Sequence, residues 1–308
     1  MDLKGKRVLV TGGAGFIGRR IVSKLEAAGA DILVPRSADC DLREKSNCER
    51  AVRGRDLVIH AACRSRGLLL NQQEPGTLFY DNALMGIQLM EAARLAGVQK
   101  FVTVGSVCAY PKLAPLPFCE DDLWSGYPEE TNAPYGVAKR ALLVQGQAYR
   151  QQYAFNAVHL LLVNVYGPGD HFDVRSGHVI PALIRKFDSA RRAQASVVDL
   201  WGSGRATREF LYVEDAAEAV LLAARRYDRP DPLNIGTSSD VSIADLAAKI
   251  RLLMGFTGDL RWDASMPEGQ PARRLDVSRA EREMGFRARV SLDEGLRKTV
   301  DSFREQAG

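Results

Sequence analysis

Four side chains able to move protons fall in two short segments: Ser106 and Cys108 in VTVGSVCAYP, residues 102–111, and Tyr135 and Lys139 in PYGVAKRAL. Tyr135 and Lys139 stand four apart, which puts them on one helix face a turn from each other. A nearby ammonium lowers a phenol's pKa from about 10 toward the working range, so that the hydroxyl can exchange a proton with a substrate carbonyl or alcohol. Ser106 lies one strand and a loop earlier, and its hydroxyl could bond the same oxygen. Cys108 follows at i+2. If the chain stays extended to residue 108, the thiol faces the same side as the serine. A cysteine at a strand end equally suits a small buried hydrophobe. Of the four histidines, His178 opens HVIPALIRKF, where a helix N-terminal imidazole can meet backbone or solvent. His60, in DLVIHAAC, reads as structural, and His159 and His171 carry no signal.

These residues need a scaffold that brings distant segments together. Short apolar runs (KRVLVTG, ADILVPR, DLVIHAA, KFVTVGS, NAVHLLLVNVYG) alternate with helix-period segments over the first half. Near-continuous apolar strands between helices predict a parallel sheet covered on both faces, a doubly wound α/β sheet of the Rossmann type over residues 1–168. Beyond residue 168, loops rich in Gly and Pro separate helices at HVIPALIRKFDSA, VEDAAEAVLLAARRY, SIADLAAKIRLLMG and SLDEGLRKTVDSFR. This predicts a smaller α/β substrate-binding lobe over 169–308, interleaved with the last strands of the sheet. No clean linker separates the halves, so one chain with a cleft is expected.

The first strand leads into VTGGAGFIGRRIVSKL, with Gly12, Gly15 and Gly18 around Phe16 and Ile17. Glycine permits the tight turn, lets backbone N–H groups approach a pyrophosphate and lets helix pack on strand, with the anion at the helix N-terminus. The strand-before, helix-after context is met, so a dinucleotide site is expected. NAD-binding versions carry an acid near the end of the second strand. Here that strand ends in Pro35 and Arg36. Arginine suits a 2′-phosphate, so NADP(H) is the expected cofactor. Asp41 could lie by the adenine or cap the helix expected at LREKSNCERAV.

Composition narrows the function classes. Hydrophobic residues at 46% and charged ones at 26% are those of a globular protein, which excludes disorder and collagen-like repeats. The 42 basic and 38 acidic residues are interspersed with a net charge of +4, so no nucleic-acid partner is implied. Five cysteines without a C-x-x-C pair suggest neither a disulfide framework nor a metal cluster, and fit a reducing cytoplasm. No run approaches the roughly 18 apolar residues of a membrane span, and the N-terminus enters a strand directly, so a soluble protein without leader or membrane contact is expected.

With its glycine loop, Ser106, Tyr135 and Lys139, the first half resembles the short-chain dehydrogenase/reductases of the extended type. The segments NVYGPGDHFDVRSGHVIPALIRKF, WGSGRATREFLYVED and DASMPEGQPARRLDV sharpen this, because they resemble the GDP-L-fucose synthases. The resemblance runs from about residue 5 to residue 300. It implies NADPH-dependent epimerisation and reduction of a GDP-sugar, GDP-4-keto-6-deoxymannose or a close analogue. It implies that Cys108, in G-S-x-C-x-Y-P, and His178, in S-x-H-V-I-P-A-L, form the acid/base pair of epimerisation. Ser106 and Tyr135 would hold the carbonyl, and Lys139 would orient the ribose. Arg185 or Lys186, with Trp201 and Arg208, would face the diphosphate or guanosine. A homodimer through the helices at YGVAKRALLVQGQAYRQQY and HVIPALIRKF is implied as well. The chain departs from the family pattern at Met266 and Gln270, where a lysine and a threonine are usual, and in the loop CRSRGLLLNQ. A colitose-type synthase acting on a 3,6-dideoxy sugar, and a nucleotide-sugar epimerase without net reduction, therefore stand as alternatives. A non-catalytic NADP-binding protein would not need Tyr135 and Lys139.

Overall fold

The computed structural model of the chain describes residues 1–64, 68–173, 178–266 and 269–307. Its first half runs β1 (Arg7–Thr11), α1 (Phe16–Ala27), β2 (Asp31–Leu33), α2 (Lys45–Val52), β3 (Leu57–His60), α3 (Leu68–Gln73), α4 (Pro75–Leu95), β4 (Lys100–Ser106), α5 (Ala133–Tyr153) and β5 (Ala157–Leu162). The remainder runs β6 (Asn164–Tyr166), α6 (Val179–Arg192), β7 (Val197–Trp201), β8 (Thr207–Tyr212), α7 (Val213–Arg226), β9 (Leu233–Ile235), β10 (Asp240–Ser242), α8 (Ile243–Met254), β11 (Asp259–Asp263), β12 (Ala272–Arg273), α9 (Ser278–Met284) and α10 (Leu292–Ala307). No described helix is long and apolar enough to cross a membrane.

Successive strand residues point to opposite faces, and both faces are covered. Val8 and Val10 of β1 pack with Ile21 and Leu25 of α1 and with the alanines of α7, while Leu9, between them, packs with Val58, Phe101, Cys48 and Leu89 on the other face. Ala216, Ala217, Ala219 and Ala223 give α7 little side-chain bulk, which lets it lie close along α1. The six strands run in the order β2-β1-β3-β4-β5-β9, every neighbouring pair parallel. From β1 the chain builds outward to β2 on one side and to β3 on the other. Ligands bind at such a switch point, in the crevice beyond the carboxyl ends of the strands.

The run NAVHLLLVNVYG, which reads as one strand, is two. At Val163, whose N–H donates to the Ile235 carbonyl at 3.1 Å, the chain leaves the large sheet, and β6 pairs instead with β8. Tyr166 thereby joins a separate core with Ile180, Ile184, Phe187, Phe210, Leu246 and Leu296. Around it β8 carries β10 antiparallel and β12 parallel, and β7 pairs with β11. Late elements return to the large sheet, with β9 at its edge and α7 on its face.

Candidate active site

A cleft of about 1620 Å³ runs from the glycine loop to β8 and β12. A pocket for one drug-sized ligand measures roughly 300–1,000 Å³, so this one has room for two ligands side by side. At the switch point Gly12 has φ +70°, and a Cβ there would lie 2.6 Å from the Ala62 nitrogen. A Cβ on Gly18 would lie 2.0 Å from the Gly12 oxygen. Gly15 is the N-cap of α1 and no side chain caps that helix, which leaves the first-turn N–H groups at Phe16, Ile17 and Gly18 facing the cleft they line. A pyrophosphate fits such a cradle.

Arg36 follows β2 on the cleft wall and is exposed. Asp41 is also on the wall, but it does not cap α2, whose N-cap is Glu44. Its carboxylate instead accepts from the Arg43 guanidinium at 2.7 Å and from the Arg43 N–H at 3.0 Å, hydrogen bonds that hold its pKa below the usual range. Arg43 reaches on to Asp81, which Arg64 also pairs.

β4 ends at Ser106, and here the expected extension fails. Val107–Ala109 form a single 3-10 turn, because the Ser106 hydroxyl accepts the Cys108 N–H at 3.2 Å and so caps the turn. Both side chains nonetheless line the cleft. Tyr135 and Lys139 come from α5, which lies close on that turn: a Cβ on Gly136 would be 2.3 Å from the Cys108 carbonyl oxygen. Lys139 is buried behind the tyrosine, with its ammonium 5.6 Å from the ring centre and donating to the Val104 carbonyl at 3.0 Å. Burial pulls its pKa down.

The lowered phenol pKa expected from the ammonium is not found. Burial raises Tyr135 well above its ordinary value, the Cys63 and Cys108 sulfurs beside it add to the rise, and only a hydrogen bond with Ser106 opposes it. The ammonium lies 5.6 Å from the ring centre, and one of its three N–H groups donates to the Val104 carbonyl. The Tyr135 hydroxyl therefore stays protonated near neutral pH. His60, read as structural, is buried and joined to the Thr11 hydroxyl through Nδ1 at 2.8 Å.

Toward the smaller core, His178 is the N-cap of α6, makes no capping bond with its side chain, and lines the cleft. Lys186, two turns on, lies 5.3 Å from the centre of the Trp201 ring and donates to the Asp199 carbonyl at 3.0 Å. Arg208 lines the same wall. Arg185 is exposed and does not line it, since one helical step turns a side chain by about 100°. Three wall residues were not singled out from sequence. Cys63 lies beside the Tyr135 phenol. Asp170 is buried with one carboxylate oxygen lacking a partner. Arg273 donates to the Cys108 sulfur at 3.5 Å. All three fall inside quoted segments, but nothing local in those segments marks which side chains reach a shared wall. Parts of three quoted segments, residues 65–67, 174–177 and 267–268, lie outside the described residues.

Residues 8–236 match the model of the NAD dependent epimerase/dehydratase family. The GDP-L-fucose synthase of Sinorhizobium fredii is 37% identical over 303 residues, which covers 98% of this chain and 96% of that protein. The GDP-L-colitose synthase of Yersinia pseudotuberculosis is 31% identical and covers 96% and 97%. Among solved structures, the GDP-L-fucose synthetase of Naegleria fowleri bound to NADP superposes with a TM-score of 0.86 at 27% identity, over 99% of this chain and 95% of that one. The chain belongs to the NAD dependent epimerase/dehydratase family and, within it, to the GDP-L-fucose synthase group.

Proposed function

We propose that the chain is an NADPH-dependent epimerase and reductase of a GDP-4-keto-6-deoxyhexose, GDP-4-keto-6-deoxy-D-mannose first, yielding GDP-L-fucose. A ketone at C4 acidifies the hydrogens on C3 and C5, because loss of either proton leaves an enolate. Cys108 takes a proton from one ring face and His178 returns one on the other, which inverts the centre. Ser106 and Tyr135 hydrogen-bond the C4 oxygen, where the negative charge develops. Tyr135, kept protonated by burial, then gives its proton to that oxygen. NADPH, when bound, supplies the hydride for C4. Gly12, Gly15, Phe16, Ile17 and Gly18 cradle its pyrophosphate, Arg36 meets the 2′-phosphate, Asp41 borders the adenine, and Lys139 orients the ribose. Lys186, Arg208 and Trp201 take the GDP end, two cations for the diphosphate and a ring to stack on the base. Five cysteines without a disulfide suit a reducing compartment such as the cytoplasm.

The observation that carries this reading is that Cys108 and His178, distant in sequence, line one cleft with Ser106 and Tyr135. Its test is incubation with GDP-4-keto-6-deoxymannose in deuterated water, following deuterium at C3 and C5 by mass spectrometry beside NADPH oxidation. Cys108→Ser is expected to incorporate little label while still reducing C4 slowly, and His178→Gln to epimerise poorly. Undiminished label in a folded Cys108→Ser protein returns this cysteine to a packing role. In the same assay NADH should serve at least tenfold less well than NADPH, and equal use would remove the role of Arg36. A second reading, favoured by the colitose synthase relative and by Met266 and Gln270, is a 3,6-dideoxy sugar substrate, whose C3 has no centre to invert. NADPH turnover with each sugar nucleotide separates the two.

A further inference from the structure

We propose that Arg273 is a positioning residue that, with one guanidinium N–H aimed at the sulfur, fixes Cys108 where it can accept a proton. The proposal rests on the reading of Cys108 as the epimerisation base. Arg273 ends β12 and is only 7% exposed, so its guanidinium must find its partners inside the protein. Nε donates to Gln270 Oε1 at 2.9 Å, and Nη1 to Cys108 Sγ at 3.5 Å. Gln270 is itself fixed, because its amide donates to the Lys112 carbonyl at 2.7 Å. The guanidinium plane is therefore set from behind, with one N–H aimed at sulfur.

The nearest carboxylate competes weakly. Glu129 Oε2 lies 4.0 Å from Arg273 Nη2, at the outer limit of an ion pair, and already accepts from the Thr131 hydroxyl at 2.6 Å and the Asn132 amide at 2.8 Å. Of the sulfur and the carboxylate, the sulfur is the nearer to the guanidinium. A guanidinium beside a thiol favours the thiolate, and it cannot be deprotonated itself, so it cannot take over as the base. In the step it serves, the C–H bond beside the ketone breaks, the S–H bond forms, and the electron pair passes to the enolate oxygen held by Ser106 and Tyr135. Arg273 keeps its charge throughout.

The first test needs no substrate. Full-length protein is alkylated with iodoacetamide at pH 7, and the rate at each cysteine is read by peptide mass spectrometry. Arg273→Gln should slow Cys108 about tenfold and leave exposed Cys63 unchanged, while Arg273→Lys, which keeps the charge, should recover most of the rate. Cys48, fully buried, reports folding by staying unreactive. An unchanged Cys108 rate in a folded Arg273→Gln protein overturns the proposal, as does a variant that only raises KM for the sugar nucleotide. If Arg273→Gln unfolds, the wild type decides: Cys108, less exposed than Cys63, must still react faster, and a slower reaction overturns the proposal. Failure of the underlying reading shows elsewhere, as undiminished deuterium exchange in Cys108→Ser while these alkylation results stand.

Discussion

At the scale of residues, Lys139 organises more than Tyr135. Its charge bears on His60 and His159 as well, and burial, reinforced by that charge, takes both imidazoles down to about 3. In an unfolded chain a histidine titrates near 6.5. Between those values the unfolded state binds protons that the folded state refuses, so stability rises with pH across the window and is lost as pH falls. Going from pH 7 to pH 5 should therefore remove about 2 kcal/mol for each histidine. His159 has no partner at either ring nitrogen, so His159→Phe forfeits no hydrogen bond. Urea denaturation at the two pH values should show that variant losing about half as much stability as the wild type. An equal loss would mean that these imidazoles are not the source.

At the scale of elements, the glycine loop, the helix carrying Tyr135 and Lys139, and the parallel sheet were legible, because each is written in local spacing. The turn at Ser106 was not, since a serine that caps a turn reads the same as one that continues a strand. Neither was the break between β5 and β6, which depends on Ile235 and on the pairing with β8. Arg273 contacts Cys108 across 165 residues of chain, a separation that no periodicity encodes. The join between α5 and the Ser106–Cys108 turn can be tested at Gly136. Alanine there gains about 1 kcal/mol of helix propensity, but its methyl would meet the Cys108 carbonyl oxygen at 2.3 Å, and overpacking costs roughly 1–3 kcal/mol. The clash wins. Gly136→Ala should melt several degrees lower and, by moving Tyr135 off the turn by about 1 Å, reduce C4 about a hundredfold more slowly. Gly76→Ala, in α4 with no atom within 4 Å, is the control. A normal rate in Gly136→Ala would show that the turn and the helix need not touch.

At the scale of the whole molecule, the helices α4 and α5 carry exposed apolar side chains. α4 and α5 pack along each other, with the Gln145 amide donating to the Ile87 carbonyl at 3.0 Å. Their outward side leaves Tyr80 60%, Ile87 41% and Val144 49% exposed. Large apolar residues gathered on one surface mark an interface, and a surface that meets its own copy closes under twofold symmetry. We propose that the homodimer expected through α5 and α6 also engages this face of α4. α6 turns Ile180, Leu183, Ile184 and Phe187 into its own core and offers Arg185 outward. Light scattering at micromolar concentration should give the mass of two chains, and Ile87→Glu with Val144→Glu should give one chain of unchanged circular dichroism. Because dimerisation stabilises by mass action, the melting temperature of the wild type should rise with protein concentration, and that of the double variant should not. A wild type that is monomeric, with a melting temperature independent of concentration, would leave this face to another partner and remove the dimer.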